Sequence, residues 1–220
     1  MKTLFVGFSR FGSYRANSSE LLVKHLNAIG QVGRKFVATE CLPARVDTID
    51  HSRSIFDIAI WDDCSAIVLL GMSSAVRGMR IETTTKNLLD SRYCPHVLNG
   101  KPIDPDVPTG KKFKLDLGAW RIDSFLETCR ARGIDADLSD DAGGFCCNRI
   151  MYLMRKSAES SPLYGMVPWI FAHISCSKEC VDDEEEFLRT GKVLVDPRTH
   201  VAALSLLVQG VKRTPAKQPA

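Results

Sequence analysis

The sequence has no long apolar run. None of its 220 residues falls in a window approaching the roughly 20 apolar residues that a membrane helix needs. Near the N-terminus, Ser9 and Arg10 interrupt the apolar stretch before it could form a secretory core, so no export signal is visible. We therefore expect no membrane association and a cytoplasmic protein.

An excess of charge of either sign is also missing. The 29 basic residues are balanced by 26 acidic ones, which gives a net charge of +3, and they are scattered along the chain. Proteins that bind nucleic acid usually carry a dense positive stripe. We therefore expect no nucleic-acid partner and look for a small or peptide substrate.

The eight cysteines include no Cys-x-x-Cys pair, although two of them, Cys146 and Cys147, are adjacent. Without an export signal, nothing places them in an oxidising compartment. We expect reduced thiols, most of them buried as small apolar side chains.

Helical patterns alternate with apolar strands along the chain. The run from Ser65 to Gly71 is continuously apolar, as in a strand buried on both faces, and Lys2 to Val6 and Val167 to Ile174 are also predicted strands. This alternation predicts a three-layer α/β/α sandwich with a mixed, mainly parallel central sheet. In such sheets, sites gather beyond the carboxyl ends of the strands.

Local patterns predict further features. Ser18 or Ser19 can cap a helix, and residues 80–86 alternate as one strand that carries Glu82. The proline-rich segment 99–112 is predicted to be a surface loop. We expect a single domain over residues 1–211 and a disordered tail over 212–220.

A thiol opens the helix that follows Gly143 and Gly144. A helix N-terminus and a nearby imidazolium favour thiolate and make cysteine a usable nucleophile. Successive helical residues diverge by about 100°, so we expect that Cys146 and Cys147 cannot face the same pocket and that one is structural. For an arbitrary cysteine, simple packing is the commoner explanation.

His173 ends an apolar strand and is the best-placed base among five histidines. Glu82 could accept a hydrogen bond from an imidazole N–H and hold it in the productive tautomer. Each has an ordinary alternative: a buried, hydrogen-bonded histidine and a solvated glutamate. The candidates become convincing only together.

Four motifs, spread from about residue 3 to about residue 176, resemble those of pyroglutamyl peptidase I, the pyrrolidone-carboxylate peptidase family of cysteine peptidases. In chain order they are Gly7-Phe8-x-x-Phe11-Gly12 with Asn17, Gly71 with Glu82, Ala142-Gly143-x-Phe145-x-Cys147-Asn148 with Met151-Tyr152, and His173.

The resemblance implies Cys147 as nucleophile, His173 as base and Glu82 as the third catalytic member, with Cys146 as the structural thiol. It also implies a pyroglutamyl pocket lined by Phe8, Phe11 and Phe145, and it matches Arg92 to a family arginine near the catalytic groups. The implied function is removal of an N-terminal pyroglutamyl residue from peptides through a thioester, without a cofactor or metal. Family members are commonly homo-oligomers, which we expect here too.

The chain departs from the family pattern beside the implied pocket. The family has glutamine and then Ala-Gly-Gly-Arg after the glycine matched by Gly71, where this chain has residues 72–77, Met-Ser-Ser-Ala-Val-Arg. Arg10 replaces a proline, and Asn17-Ser18-Ser19 replaces Asn-Pro-Ser. These changes leave the three catalytic candidates intact.

Two alternatives remain open on sequence alone. The altered loops could mark a non-hydrolytic member that binds a small amide or a peptide N-terminus. His173, Cys176 and Cys180 could hold zinc, although a fourth ligand is missing and the spacing matches no strong zinc pattern.

Overall fold

A computed structural model describes residues 2–32, 35–44, 50–90, 94 and 96–211. The predicted disordered tail, 212–220, lies outside these described residues, as does Arg92.

A seven-stranded sheet forms the centre of the fold, in the order β2-β3-β1-β4-β9-β5-β8. Its strands are β1 (Lys2–Phe8), β2 (Gln31–Val32), β3 (Lys35–Leu42), β4 (Cys64–Met72), β5 (Met79–Glu82), β8 (Ala136–Ser139) and β9 (Trp169–Ile174). Strand β2 is antiparallel to β3 and β5 is antiparallel to β9, while the other neighbours are parallel. The predicted mixed, mainly parallel sheet is confirmed.

Helices cover the two faces of the sheet. They are α1 (Ser18–Ile29), α2 (His51–Trp61), α3 (Ile122–Ala131), α4 (Cys146–Ser160), α5 (Pro162–Gly165), α6 (Glu184–Arg189) and α7 (Pro197–Gln209), with a short 3-10 turn at Lys178–Cys180. Helices α2 and α4 contribute to one buried apolar cluster, and α1, α3 and α7 contribute to the other. The arrangement is the predicted α/β/α sandwich.

Strand β4 shows how the sequence separates the two cores. Ile67 and Leu69 face the α2/α4 cluster, and Val68 and Leu70 face the opposite one. Because neighbouring strand residues point to opposite faces, an apolar run without polar breaks is what a strand covered on both sides requires. All four side chains are fully buried.

Asn17, and not a serine, caps α1. Its side-chain Oδ1 accepts a hydrogen bond from the Ser19 backbone N–H at 2.9 Å, and Gly30 ends the helix in the left-handed conformation. The predicted cap at Ser18 or Ser19 was therefore wrong by one or two positions. All three side chains can cap a helix, so the pattern alone could not choose among them.

The predicted strand over residues 80–86 is two separate strands. Strand β5 ends at Glu82, and β6 (Thr84–Lys86) pairs with β7 (Lys112–Lys114) in a two-stranded antiparallel sheet. Thr83 breaks the alternation by donating its backbone N–H to the Ser139 carbonyl at 2.8 Å. Glu82 therefore ends one strand and Thr84 begins another, contrary to the prediction of a single strand over residues 80–86.

Among the described residues, no helix has the length and apolar character needed to cross a membrane. All eight cysteines are free thiols, and six of them are buried.

Candidate active site

The turn before α4 brings the Cys147 thiol to the carboxyl edge of the sheet. Gly143 takes the left-handed conformation, with φ 79°, and Gly144 lies so close to the Asp90 backbone that an added Cβ would come within 2.0 Å of its carbonyl oxygen. Phe145 occupies the N-cap position and supplies no side-chain cap. The partly buried thiol of Cys147 therefore lies in the first turn of α4, one residue after the helix begins.

His173 and Glu82 reach the same point from neighbouring strands. The imidazole Nδ1 lies 2.7 Å from Glu82 Oε1, and both side chains are buried. The Cys147 sulfur lies beside His173, because a Cβ built on Gly71 would lie 3.0 Å from both Cys147 Sγ and His173 Cδ2. Because Nδ1 is engaged by the carboxylate, the other ring nitrogen, Nε2, is the one left for the sulfur.

Gly71, at the end of β4, leaves the space in which these groups meet. A Cβ there would lie 3.0 Å from Cys147 Sγ, 3.0 Å from His173 Cδ2 and 2.8 Å from a ring carbon of Phe171. The sequence prediction that Cys147, His173 and Glu82 converge at one cleft therefore matches the distances, although their chemical roles stay a prediction.

The electrostatics couple the thiol to the imidazole. Burial lowers the pKa of His173, but the Cys147 sulfur and the Glu82 carboxylate raise it by more, to about 9. The hydrogen bond with Cys146 and burial raise the pKa of the Cys147 thiol, and His173 opposes both. A thiolate in this buried place is therefore stabilised chiefly by an imidazolium beside it, and the two groups titrate as a pair.

Cys146 also borders the cavity, contrary to the expectation that the two adjacent thiols could not share a pocket. It is 7% exposed, packs in the α2/α4 core and lines the cavity together with Cys147. The 100° argument holds for residues inside a helix, whereas Cys146 is the first residue of α4 and forms part of the wall where the turn enters.

The cavity above the thiol has a volume of about 480 Å³ and an aromatic wall. Phe8, Phe11 and Phe145 all line it, with the rings of Phe11 and Phe145 6.1 Å apart. Tyr14 joins the wall, its ring 5.5 Å from that of Phe11. Sequence reasoning missed Tyr14, although an aromatic residue in the loop that carries Phe8 and Phe11 was a usable signal.

Two of the departures from the family pattern contact each other under this wall. The backbone N–H of Ser18, which stands where the family has proline, donates to the Sδ atom of Met72 at 3.2 Å, and Met72 stands where the family has glutamine. Proline has no backbone N–H and could not make this contact. Ser73, Ser74 and Ala75 continue the altered loop along the cavity.

Asn17 ties the phenylalanine loop to α1. Its Nδ2 donates to the Ser9 carbonyl at 3.0 Å, and the hydroxyl of Ser19 accepts the Phe8 backbone N–H at 3.0 Å. The start of the loop that carries Phe8 and Phe11 is thus held to the first turn of the helix.

The alternative zinc site is not assembled. His173 is engaged by Glu82, whereas the Cys180 sulfur lies 3.1 Å from the Ser18 hydroxyl in a different buried cluster that also contains Cys176. Within the part of the chain that the structure describes, no group of three or more His, Cys, Asp or Glu residues could hold a metal ion.

The fold and this site define a class: α/β/α proteins that bring a thiol, an imidazole and a carboxylate together at the edge of a parallel sheet, as cysteine peptidases do. The family model described as pyroglutamyl peptidase matches residues 1–208, so the chain belongs to the pyroglutamyl peptidase family.

Named relatives agree with this assignment. The chain is 28% identical over 220 residues to a pyrrolidone-carboxylate peptidase of Streptomyces coelicolor, covering 99% of this chain and 94% of the relative. It is 26% identical over 166 residues to a pyrrolidone-carboxylate peptidase of Thermococcus litoralis, covering 74% and 71%.

Solved structures support the fold. Pyrrolidone carboxyl peptidase from Thermococcus litoralis matches with a TM-score of 0.76 and 22% identity over 96% of this chain and 92% of that one. Pyroglutamyl peptidase I from Bacillus amyloliquefaciens matches with a TM-score of 0.75 and 21% identity over 96% and 94%.

Proposed function

We propose that this protein hydrolyses the amide bond after an N-terminal pyroglutamyl residue of peptides, with Cys147 as nucleophile, His173 as general base and acid, and Glu82 as the group that orients the imidazole. The observation that carries the proposal is the convergence of these three side chains at an aromatic cavity in a member of this family, with His173 within hydrogen-bonding distance of Glu82 and beside the Cys147 sulfur.

The reaction proceeds in two halves. His173 accepts the proton of the Cys147 thiol, the sulfur attacks the pyroglutamyl carbonyl, and the C–N bond breaks as His173 protonates the leaving amine. A water molecule then gives a proton to His173 and attacks the thioester. The C–S bond breaks, pyroglutamate leaves, and the proton returns to the sulfur.

The start of α4 supplies the oxyanion donors in this mechanism. Phe145 at the N-cap position makes no side-chain hydrogen bond to the helix, and we assign the donor role to backbone N–H groups of the first turn, including that of Cys147. Donors of this kind typically contribute about 10²–10³ in kcat each, since they act where charge develops.

The aromatic wall holds the lactam ring. Phe8, Phe11 and Phe145 present flat apolar faces to a compact five-membered ring, whose polar edge then meets backbone groups. We also propose that Arg92 binds substrate near the catalytic groups. That role rests on the family resemblance, because Arg92 lies outside the described residues.

The proposed activity needs no cofactor but does need a reduced thiol, which favours a cytoplasmic location. We also propose a homo-oligomer, because family members are commonly homo-oligomers. Light scattering coupled to size-exclusion chromatography would detect it as a mass above 24.4 kDa.

The direct test is hydrolysis of a pyroglutamyl amide by wild type, Cys146→Ser and Cys147→Ser. We expect Cys147→Ser to lower kcat by roughly 10³ or more, and Cys146→Ser to retain turnover. Equal loss in both variants would mean that the wrong sulfur was chosen. Binding of pyroglutamate without turnover in reduced wild type would instead support the non-hydrolytic alternative, which the family assignment does not favour.

A further inference from the structure

The residue after the proposed nucleophile has a side chain whose hydrogen-bonding capacity is fully used. Asn148 is 1% exposed. Its Nδ2 donates to the carbonyls of Lys86 and Leu88, both at 2.9 Å, while its Oδ1 accepts from the Lys86 backbone N–H and the Thr85 hydroxyl, also at 2.9 Å each. A side-chain amide offers two donors and two acceptor sites, so all four are satisfied here.

These bonds join two parts of the site that are distant in sequence. Thr85 and Lys86 belong to β6, which begins two residues after Glu82, while Asn148 lies in the first turn of α4. The Thr85 hydroxyl also reaches the Asn148 backbone carbonyl at 3.1 Å. The helix that carries the thiol is thus held to the segment that carries the carboxylate.

We propose that Asn148 is a positioning residue that sets the distance between the Cys147 sulfur and the His173–Glu82 pair by locking the first turn of α4 to β6. The proposal rests on the proposed function, since it assigns a part in that reaction. Asn148 itself does not line the cavity.

The hydrogen bonds of Asn148 affect the Cys147 sulfur through the position of α4. His173 is held by Glu82, which leaves the sulfur as the partner whose place depends on α4. A displacement of about 1 Å at a reacting group can cost on the order of 10² in rate. Because Cys147 and Asn148 are consecutive, a shift of the first turn moves the sulfur directly.

The chain offers a matched control in Asn87. This side chain is 0% exposed, its Nδ2 donates to the carbonyls of Asp104 and Val107 at 2.9 and 2.7 Å, and its Oδ1 accepts the Asp104 backbone N–H at 2.8 Å. It therefore has the same chemistry and burial one residue beyond β6, but it fixes the proline-rich loop and not α4.

The experiment compares Asn148→Ala with Asn87→Ala, each assayed at a temperature below its own unfolding midpoint. We expect both to lower Tm, but only Asn148→Ala to lower kcat for a pyroglutamyl amide, by about 10- to 100-fold with KM changed by less than about threefold. Alkylation of Cys147 by iodoacetamide, followed in a Cys146→Ser background, should slow by at least about fivefold at pH 7, because His173 no longer favours the thiolate.

Equal effects of the two variants on kcat and on alkylation would overturn the proposal, since Asn148 would then contribute to stability alone. Should Asn148→Ala not fold, Thr85→Val is the second variant, because it removes only the hydroxyl that donates hydrogen bonds to Asn148. It should lower kcat and slow alkylation in the same way, but by smaller factors. An unchanged kcat in Thr85→Val would overturn the proposal. Absence of turnover in wild type would refute the proposed function, whereas the alkylation comparison would still decide the role of Asn148.

Discussion

Cys147, His173 and Glu82 illustrate what local sequence can and cannot predict about a single residue. A thiol after a glycine turn and a histidine at a strand end are physically meaningful signals, because both positions deliver side chains to the edge of a sheet. Glu82 carried no such signal, and the single strand over residues 80–86 that was predicted to carry it does not exist, since β5 ends at this residue. The family resemblance, not local pattern, identified the carboxylate.

Replacing Glu82 by glutamine tests its electrostatic role. The carboxylate raises the pKa of His173, which is about 9, so its removal must lower that pKa. The Cys147–His173 pair must keep one proton to protonate the leaving amine, and the imidazolium beside the thiolate loses that proton as pH rises through this pKa. We therefore expect the alkaline limb of the kcat/KM profile to lie near pH 9 in wild type and to move down by roughly one pH unit or more in Glu82→Gln.

Glu159→Gln is a suitable control for this measurement, because Glu159 forms an exposed ion pair with Arg155 at the other end of α4. Its profile should overlay that of wild type. An alkaline limb that stays in place in Glu82→Gln would show that the carboxylate does not govern the titration of His173.

At the scale of elements, most strands and helices could be predicted because each has its own periodicity. The errors lie where two elements meet. Residues 80–86 alternate throughout, but nothing local says that residues before Thr83 pair in the central sheet and residues after it pair with Lys112–Lys114. The short β7 strand, which begins at the last residue of the predicted proline-rich loop, pairs only with β6.

The end of β4 offers a test of the space at the site. In Gly71→Ala the new methyl carbon would lie 3.0 Å from Cys147 Sγ and 3.0 Å from His173 Cδ2. Both distances are shorter than a carbon atom normally keeps from a non-bonded sulfur or carbon atom. We expect the two groups to be pushed apart and kcat to fall by roughly tenfold or more, measured with a pyroglutamyl amide.

Gly118→Ala is the matched control, because the nearest atom to its added Cβ would be a side-chain oxygen of Asp116 at 3.2 Å on an exposed turn. It should leave kcat unchanged. Full activity in Gly71→Ala would mean that the site is looser than the distances indicate.

For the whole molecule, the alternation of helices and apolar strands was enough to predict the layers but not the strand order. The insertion of β5 as an antiparallel neighbour of β9 is what brings Glu82 to His173. Such pairings join residues almost a hundred positions apart, and periodicity within a window of 10 to 20 residues does not encode them.

Stability should depend on pH through a second histidine, away from the site. His200 on α7 is 2% exposed, its Nε2 lies 3.0 Å from the Ser175 hydroxyl, and burial lowers its pKa from 6.5 to about 4. Between about pH 4 and pH 6.5, His200 therefore binds a proton in the unfolded chain but not in the folded protein. Stability is unaffected by this group above about pH 6.5 and falls by about 3 kcal/mol as pH drops towards 4.

Urea unfolding of wild type and His200→Gln between pH 6.5 and 4 tests whether the free energy of unfolding falls as the pH drops. The variant should lose most of the slope between pH 6.5 and 4, while His25→Gln, on an exposed face of α1, should retain it. A wild-type stability that is constant over this window would contradict the assignment of a neutral, buried His200.

The central claim, a thioester on Cys147, can be measured directly. A pyroglutamyl amide is mixed with Cys146→Ser protein, and the reaction is quenched in acid during turnover. The protein is then digested, and the masses of its peptides are measured by mass spectrometry. The account predicts a pyroglutamyl adduct on the peptide that contains residue 147, and none in the Cys146→Ser/Cys147→Ser protein. Turnover that continues in the protein lacking both thiols, or an adduct on any other residue, would contradict it.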